Sequence, residues 1–391
     1  MPAIIQTERF EFANILRGLA ALSVVVSHLV VGYWLDPATV TFFTGLPAAA
    51  AEPPAIARLF AALPINYGSF GVGLFFVISG FVIPYSLVAY DVKAFLVGRF
   101  FRIYPTFWCG ILLSVAAVAA GVALFGASLP FQANHLVSHM LAPLRPILDS
   151  RPIDGVVWTL EVELFFYLIC ALLARDIAEG RRRLALAPFV IFLLWIPCLV
   201  VAARVQPGYE KLAGRFEFLA AYPPMIILMF VGVAYNLHRR GKLGAREATL
   251  WIAGFLGLFV ATWATGFIGH GWRPLMTSVI HLPSYLAAVA CFFAAAALRR
   301  HFRSARVLDF FADISYSLYV VHQLAGYVLL RLLASRGVEG NIATICVVGL
   351  VIALAWALHR FVEAPTHRYG QALARGMATR ARSLAAKPSI S

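Results

Sequence analysis

Apolar runs of about twenty residues follow one another from Asn14 to Phe361, and they constrain this chain more than any other feature. A run of that length spans the hydrocarbon core of a bilayer as a helix. Lipid satisfies no backbone polar groups, so a spanning segment is either helical or part of a closed barrel. Spans are expected near residues 14–34, 68–90, 103–126, 157–174, 184–205, 217–237, 249–269, 275–298, 311–333 and 341–361. His281 and Pro283 interrupt the eighth. The expected fold is all-α, a polytopic transmembrane bundle of about ten spans. Composition agrees: charged residues make up only 13%, against about a quarter in soluble domains.

The net charge is +14. Basicity of this size raises nucleic acid as a partner, but the charges sit in short clusters between apolar runs, which is a pattern of membrane orientation. The expected partner is therefore the lipid bilayer and not nucleic acid. One set of alternate connections holds 23 of the 32 lysines and arginines. That set is expected to be cytoplasmic, with both termini on the same side. The polar N-terminus shows no cleavage pattern, so the first run reads as a retained span. Residues 1–370 read as the transmembrane domain and 371–391 as a basic cytoplasmic tail, either surface-bound or disordered. The five cysteines lie in apolar stretches without a CxxC pair, so neither a disulfide framework nor a metal site is expected. The connections 35–67 and 127–156 are long and poor in charge, and read equally as spacers or as parts of an acceptor site.

Ionisable groups inside spans are costly and point to function. Arg17 and His28 are eleven residues apart, which returns a straight helix to nearly the same face. Arg17 suits an anion at the mouth or simple membrane orientation; His28 suits proton transfer or a bond to a neighbouring helix. Arg99 and Arg102 share a helical face, fit for phosphate groups or for lipid headgroups beside Tyr104 and Trp108. Glu161 and Glu163 are two apart, so at most one faces a given site. His322 follows a polar stripe of Ser315, Tyr316 and Tyr319, and either serves a site or bonds between helices. His135 and His139 are four apart but have no third ligand nearby in sequence. Glu363 stands where the last span ends and is placed to pair with an arginine.

Six segments together resemble the acyltransferase 3 family of integral-membrane O-acyltransferases: Arg17 with His28, LFFVISGF at 74–81, the run from Arg99 through IYP to Trp108, Trp158 with Glu163 and Tyr167, ISYSLYVVH at 314–322, and Glu363 with Pro365. The likeness extends from about residue 10 to 370. Members of that family are bacterial enzymes of the inner (plasma) membrane that acylate polysaccharides, lipopolysaccharide, Nod factors and some antibiotics. The resemblance implies an acyl-CoA donor, by default acetyl-CoA, and a hydroxyl on a carbohydrate or glycolipid acceptor. It implies that Arg17, Arg99 and Arg102 hold the donor and that His28 acts as base, with Glu163 orienting it or binding the acceptor. Trp158, Tyr167 and His322 would contact substrate, and no metal is expected. Direct transfer and a covalent acyl intermediate both remain open, as does the oligomeric state. The competing reading is a proton-coupled transporter of a lipid-linked sugar or organic anion, which uses the same residue types but would show repeat symmetry that this sequence lacks.

Overall fold

The computed structural model describes residues 10–47, 49, 51–148, 151–204, 210–264, 276–303 and 306–385. Every regular element among them is helical. In chain order they are α1 (Glu11–Leu35), α2 (Pro37–Thr44), α3 (Ala55–Ala61), α4 (Tyr67–Ala89), α5 (Val92–Phe125), α6 (Ala133–Met140), α7 (Val157–Leu172), α8 (Ala174–Glu179), α9 (Leu186–Arg204), α10 (Glu210–Arg239), α11 (Ala245–Ala264), α12 (Met276–Ala297), α13 (Arg306–Asp313), α14 (Ser315–Ser335), α15 (Gly340–Leu358) and α16 (Ala364–Ala385).

Helix boundaries follow local chemistry. Asn66 and Asp91 accept from the amides of Ser69 and Ala94, both at 2.8 Å, and so cap the starts of α4 and α5. Asp36 does the same for α2, where Pro37 takes the first helical position. Gly126 adopts a φ of 63° where α5 stops, a backbone conformation that glycine reaches without a Cβ clash.

Eight helices among the described residues are long and apolar enough to cross a membrane. The expected fourth span differs: α7 has only 16 residues, about 24 Å at 1.5 Å per residue, which is short of a bilayer core of about 30 Å. It breaks at Leu173 and continues as the short α8. The expected fifth span corresponds to α9, whose end lies outside the described side chains, and the stretch 265–275 lies outside the described residues. The stretch between the expected second and third spans is helical from Val92 onward, so Arg99 and Arg102 share a face of α5 as their spacing implies. The tail expected beyond 370 is helical through Ala385 and docks on α5.

Helices do not associate in lipid through the hydrophobic effect, so close backbone contact and interhelical hydrogen bonds matter more. The α4–α10 contact shows both. A Cβ on Gly80 would collide with the Met229 carbonyl, and one on Gly232 would collide with the Val77 carbonyl. Beside them, Asn236 Nδ2 donates to Phe81 O at 2.8 Å. Helices α1, α4, α5, α7, α14 and α16 together form the site.

A candidate active site between an arginine-lined cavity and a histidine pair

A cavity of about 320 Å³ opens between α1, α4, α5, α7, α14 and α16. That is within the range of small-molecule sites, about 300–1,000 Å³. Its cationic part holds Arg17, Arg99 and Arg102. Arg17 Nη2 reaches only Ser315 Oγ, at 3.4 Å, while Arg99 Nη2 donates to Ser86 Oγ at 2.5 Å and stacks near the rings of Phe95 and Tyr167. None of the three makes an ion pair with a described residue. Three guanidinium groups thus line one part of the cavity, with Glu163 the carboxylate in the same lining.

The opposite part of the cavity is apolar, walled by Val72, Phe75, Phe76, Leu160 and Tyr319. Glu163 lies between the two parts. Its Oε1 accepts from Ser79 Oγ at 2.9 Å and from Tyr167 OH at 2.6 Å. Glu161, two residues earlier, faces the other way. It is fully buried and takes two hydrogen bonds from Arg145, at 2.7 and 2.6 Å, plus one from Tyr222 OH. The two carboxylates thus divide as helical geometry requires.

His28 sits in a seven-residue π-helical stretch of α1, Val26–Gly32. Arg17 lines the cavity and His28, eleven residues further along the helix, does not. Its partner is His322, with His28 Nδ1 and His322 Nε2 at 2.7 Å. His322 is fully buried, and its Nδ1 faces Leu318 O at 3.0 Å and Tyr319 O at 2.9 Å. Carbonyl oxygens only accept, so Nδ1 of His322 carries the proton and Nε2 of the neutral ring carries the lone pair. His28 Nδ1 then donates to it, and His28 Nε2 is left free to accept a proton.

One aromatic layer separates His322 from the cavity. The Tyr319 ring lies 5.9 Å from the His322 ring and 5.7 Å from that of Phe75, centroid to centroid. The Tyr319 hydroxyl is bonded to Thr159 Oγ1 at 2.5 Å. Behind it, Asp154 caps the start of α7 through the Val156 and Val157 amides, at 3.1 and 2.9 Å. Burial pushes the Asp154 carboxyl up, but His139 and those two amides hold it below its ordinary value.

The other sequence expectations distribute as follows. Tyr167 is in the cavity, bonded to Glu163, whereas Trp158 lies outside its lining and meets Phe76 edge to face. Glu163, expected to orient His28 or to bind the acceptor, bonds to Ser79 and Tyr167, and His28 bonds to His322. Glu363 pairs with His359 and Ser317, at 3.1 and 2.7 Å, and not with an arginine. His135 accepts from the Gln132 amide and His139 stands beside Asp154, so the two do not converge. No group of three metal-ligating side chains occurs among the described residues. Sequence reading passed over Arg145, Tyr319 as a wall, and His367 and Gln371, which complete the cavity.

No characterised protein and no solved structure matches the chain. The model of an acyltransferase domain matches residues 10–360, which contain the arginine-lined cavity's core and both histidines, and the chain accordingly belongs to the acyltransferase 3 family.

Proposed function

We propose that this membrane acyltransferase moves an acyl group, by default acetyl, from coenzyme A to a hydroxyl of a carbohydrate or glycolipid. One observation carries the reading: a cavity lined by three arginines ends one aromatic layer from His322, which holds His28 with its Nε2 free. The donor phosphates bind Arg17, Arg99 and Arg102. The thioester arm runs past Glu163 to the apolar end. The arginine end faces the cytoplasm, in keeping with the clustering of basic residues, and the acceptor reaches His28 from the other face of the plasma membrane.

In the direct route, His28 Nε2 takes the hydroxyl proton while the oxygen attacks the thioester carbonyl carbon. The C–S bond breaks, the ester forms, and the thiolate of coenzyme A leaves. The imidazolium returns the proton to that sulfur. His322 holds His28 in the tautomer that this step needs. Tyr319 must swing aside for the thioester to reach His28, and until then it keeps water-borne base and thioester apart.

The test is release of coenzyme A by purified protein given acetyl-CoA and a panel of membrane saccharides. His28→Ala should cut the rate by about a hundredfold or more while leaving membrane insertion and abundance unchanged. Wild-type activity in that variant would remove His28 from the mechanism. Saccharide-dependent proton flux in liposomes without coenzyme A release would favour a transporter.

A further inference from the structure

The arginine-lined cavity has a wall beyond the family match. That match ends at residue 360, yet His367 and Gln371 line the cavity with Arg17, Arg99 and Arg102. The two stand four apart on α16 and share one of its faces. They are bonded to each other, with Gln371 Nε2 and His367 Nε2 at 3.1 Å, and Arg375 Nη2 steadies the carboxamide by donating to Gln371 Oε1 at 3.3 Å. An amide nitrogen only donates, so His367 Nε2 accepts and its Nδ1 carries the proton. This imidazole is neutral.

The wall is fixed in place. A Cβ on Gly370 would collide with Phe101, Tyr369 meets the Phe101 ring edge to face at 5.1 Å, and Ala374 is buried. Small residues at 370 and 374 bring α16 into close contact with α5, which carries Arg99 and Arg102. The polar pair therefore stands at a set distance from two of the three guanidinium groups.

The chemistry of this wall differs from that of the arginines. It offers a neutral hydrogen-bonding pair next to a cluster of positive charge. A ligand that satisfies both carries fixed anionic groups beside a neutral heteroaromatic ring. The apolar end of the cavity, nearest the histidines, takes the acyl thioester, so the far end of the donor meets α16. We propose that α16 binds the adenine-nucleotide end of the acyl donor through His367 and Gln371, an inference that rests on the cavity being the coenzyme A site. The helix beyond the family match is then a part of the donor site and not a tail.

Two fragments of the donor separate this inference from its premise. Adenosine bisphosphate and phosphopantetheine are titrated against the full chain purified in detergent. His367→Ala with Gln371→Ala should weaken adenosine bisphosphate by about tenfold, the scale of one or two lost polar contacts, and leave phosphopantetheine within about twofold. Gln371→Met, which keeps the size but removes the carboxamide without adding charge, should give the same selective loss in a protein with an unperturbed helix. Unchanged adenosine bisphosphate affinity in both variants overturns the inference, as does an equal loss of both fragments, which would mark α16 as a mere shaping element. Arg99→Ala with Arg102→Ala is the control for the premise: if that variant weakens both fragments while the α16 variants weaken neither, only the inference falls. If wild type binds neither fragment, both fall.

Discussion

The rings of His28 and His322 lie edge to edge, 14° from parallel and 5.0 Å between centroids, joined by the 2.7 Å bond between their nitrogens, although 294 positions separate them in the chain. The two carbonyls behind His322 fix the direction of every hydrogen in that pair. His322→Leu removes the acceptor for His28 Nδ1 and frees His28 to take the other tautomer. The expected result is a kcat about tenfold or more below wild type, part of the 10²–10⁴ that a positioned base supplies, with donor KM nearly unchanged. His322→Gln places a carboxamide oxygen within reach of the same hydrogen and should recover much of the loss. Steady-state kinetics of the two variants decide it: equal rates in Leu and Gln would leave His322 a packing residue.

Arg99 donates to Ser86 and lies against two aromatic rings, at 5.4 and 5.5 Å from their centroids. A lysine can fill the charge but not the planar contact. Arg99→Ala with Arg102→Ala should raise donor KM by about tenfold or more, as loss of charge-assisted contacts implies. The double Lys variant should fall between this and wild type. Initial rates over a range of acyl-CoA concentrations measure both, and an unchanged KM in the Ala variant rules out the phosphate role.

How far the sequence reached depends on whether a relation is local. The division of Glu161 from Glu163 was legible because helical angles fix it over two residues. Arg145, the partner of Glu161, lies in the connection before α7, where no periodicity sets direction. The apolar runs marked the bundle, but α7 is cut short at Leu173 by a break that hydrophobicity does not encode. The π-helical stretch at Val26–Gly32 also left no mark in the apolar pattern. His28 and His322 each stood out as polar groups in apolar spans, but their pairing is a tertiary fact. For α16 a signal existed: Gly370 and Ala374, four apart, form the small-residue stripe of a close helix contact.

The pair of Arg145 and Glu161 is fully buried, and Tyr222 completes the carboxylate's bonding. Breaking such a pair leaves one charge without compensation and costs about 3–5 kcal/mol. Glu161→Leu should therefore lower the thermal unfolding temperature sharply in detergent. Arg145→Met added to Glu161→Leu removes the stranded charge and should restore most of the loss, since an apolar pair of similar volume is often neutral or better. Scanning calorimetry or tryptophan fluorescence reports the difference. If the double variant is no more stable than the single one, the cost lies in lost packing and not in the isolated guanidinium.

Tyr319 stands between the arginine-lined cavity and His322, bonded through its hydroxyl to Thr159. Two variants dissect that position. Tyr319→Phe keeps the ring against Phe75 but drops the bond to Thr159, so the layer stays in place and opens more readily. Tyr319→Ala removes the layer and lets the thioester and water meet His28 with no acceptor bound. Hydrolysis of acyl-CoA without acceptor should rise several-fold in the Ala variant and less in the Phe variant, because exclusion of water suppresses this side reaction. The rise should vanish when His28→Ala is added, since the leak uses the same base. Acceptor-independent release of coenzyme A is the measurement. A wild-type leak in Tyr319→Ala, together with normal transfer, would mean that the thioester reaches the histidine by another path and that the aromatic layer is only packing.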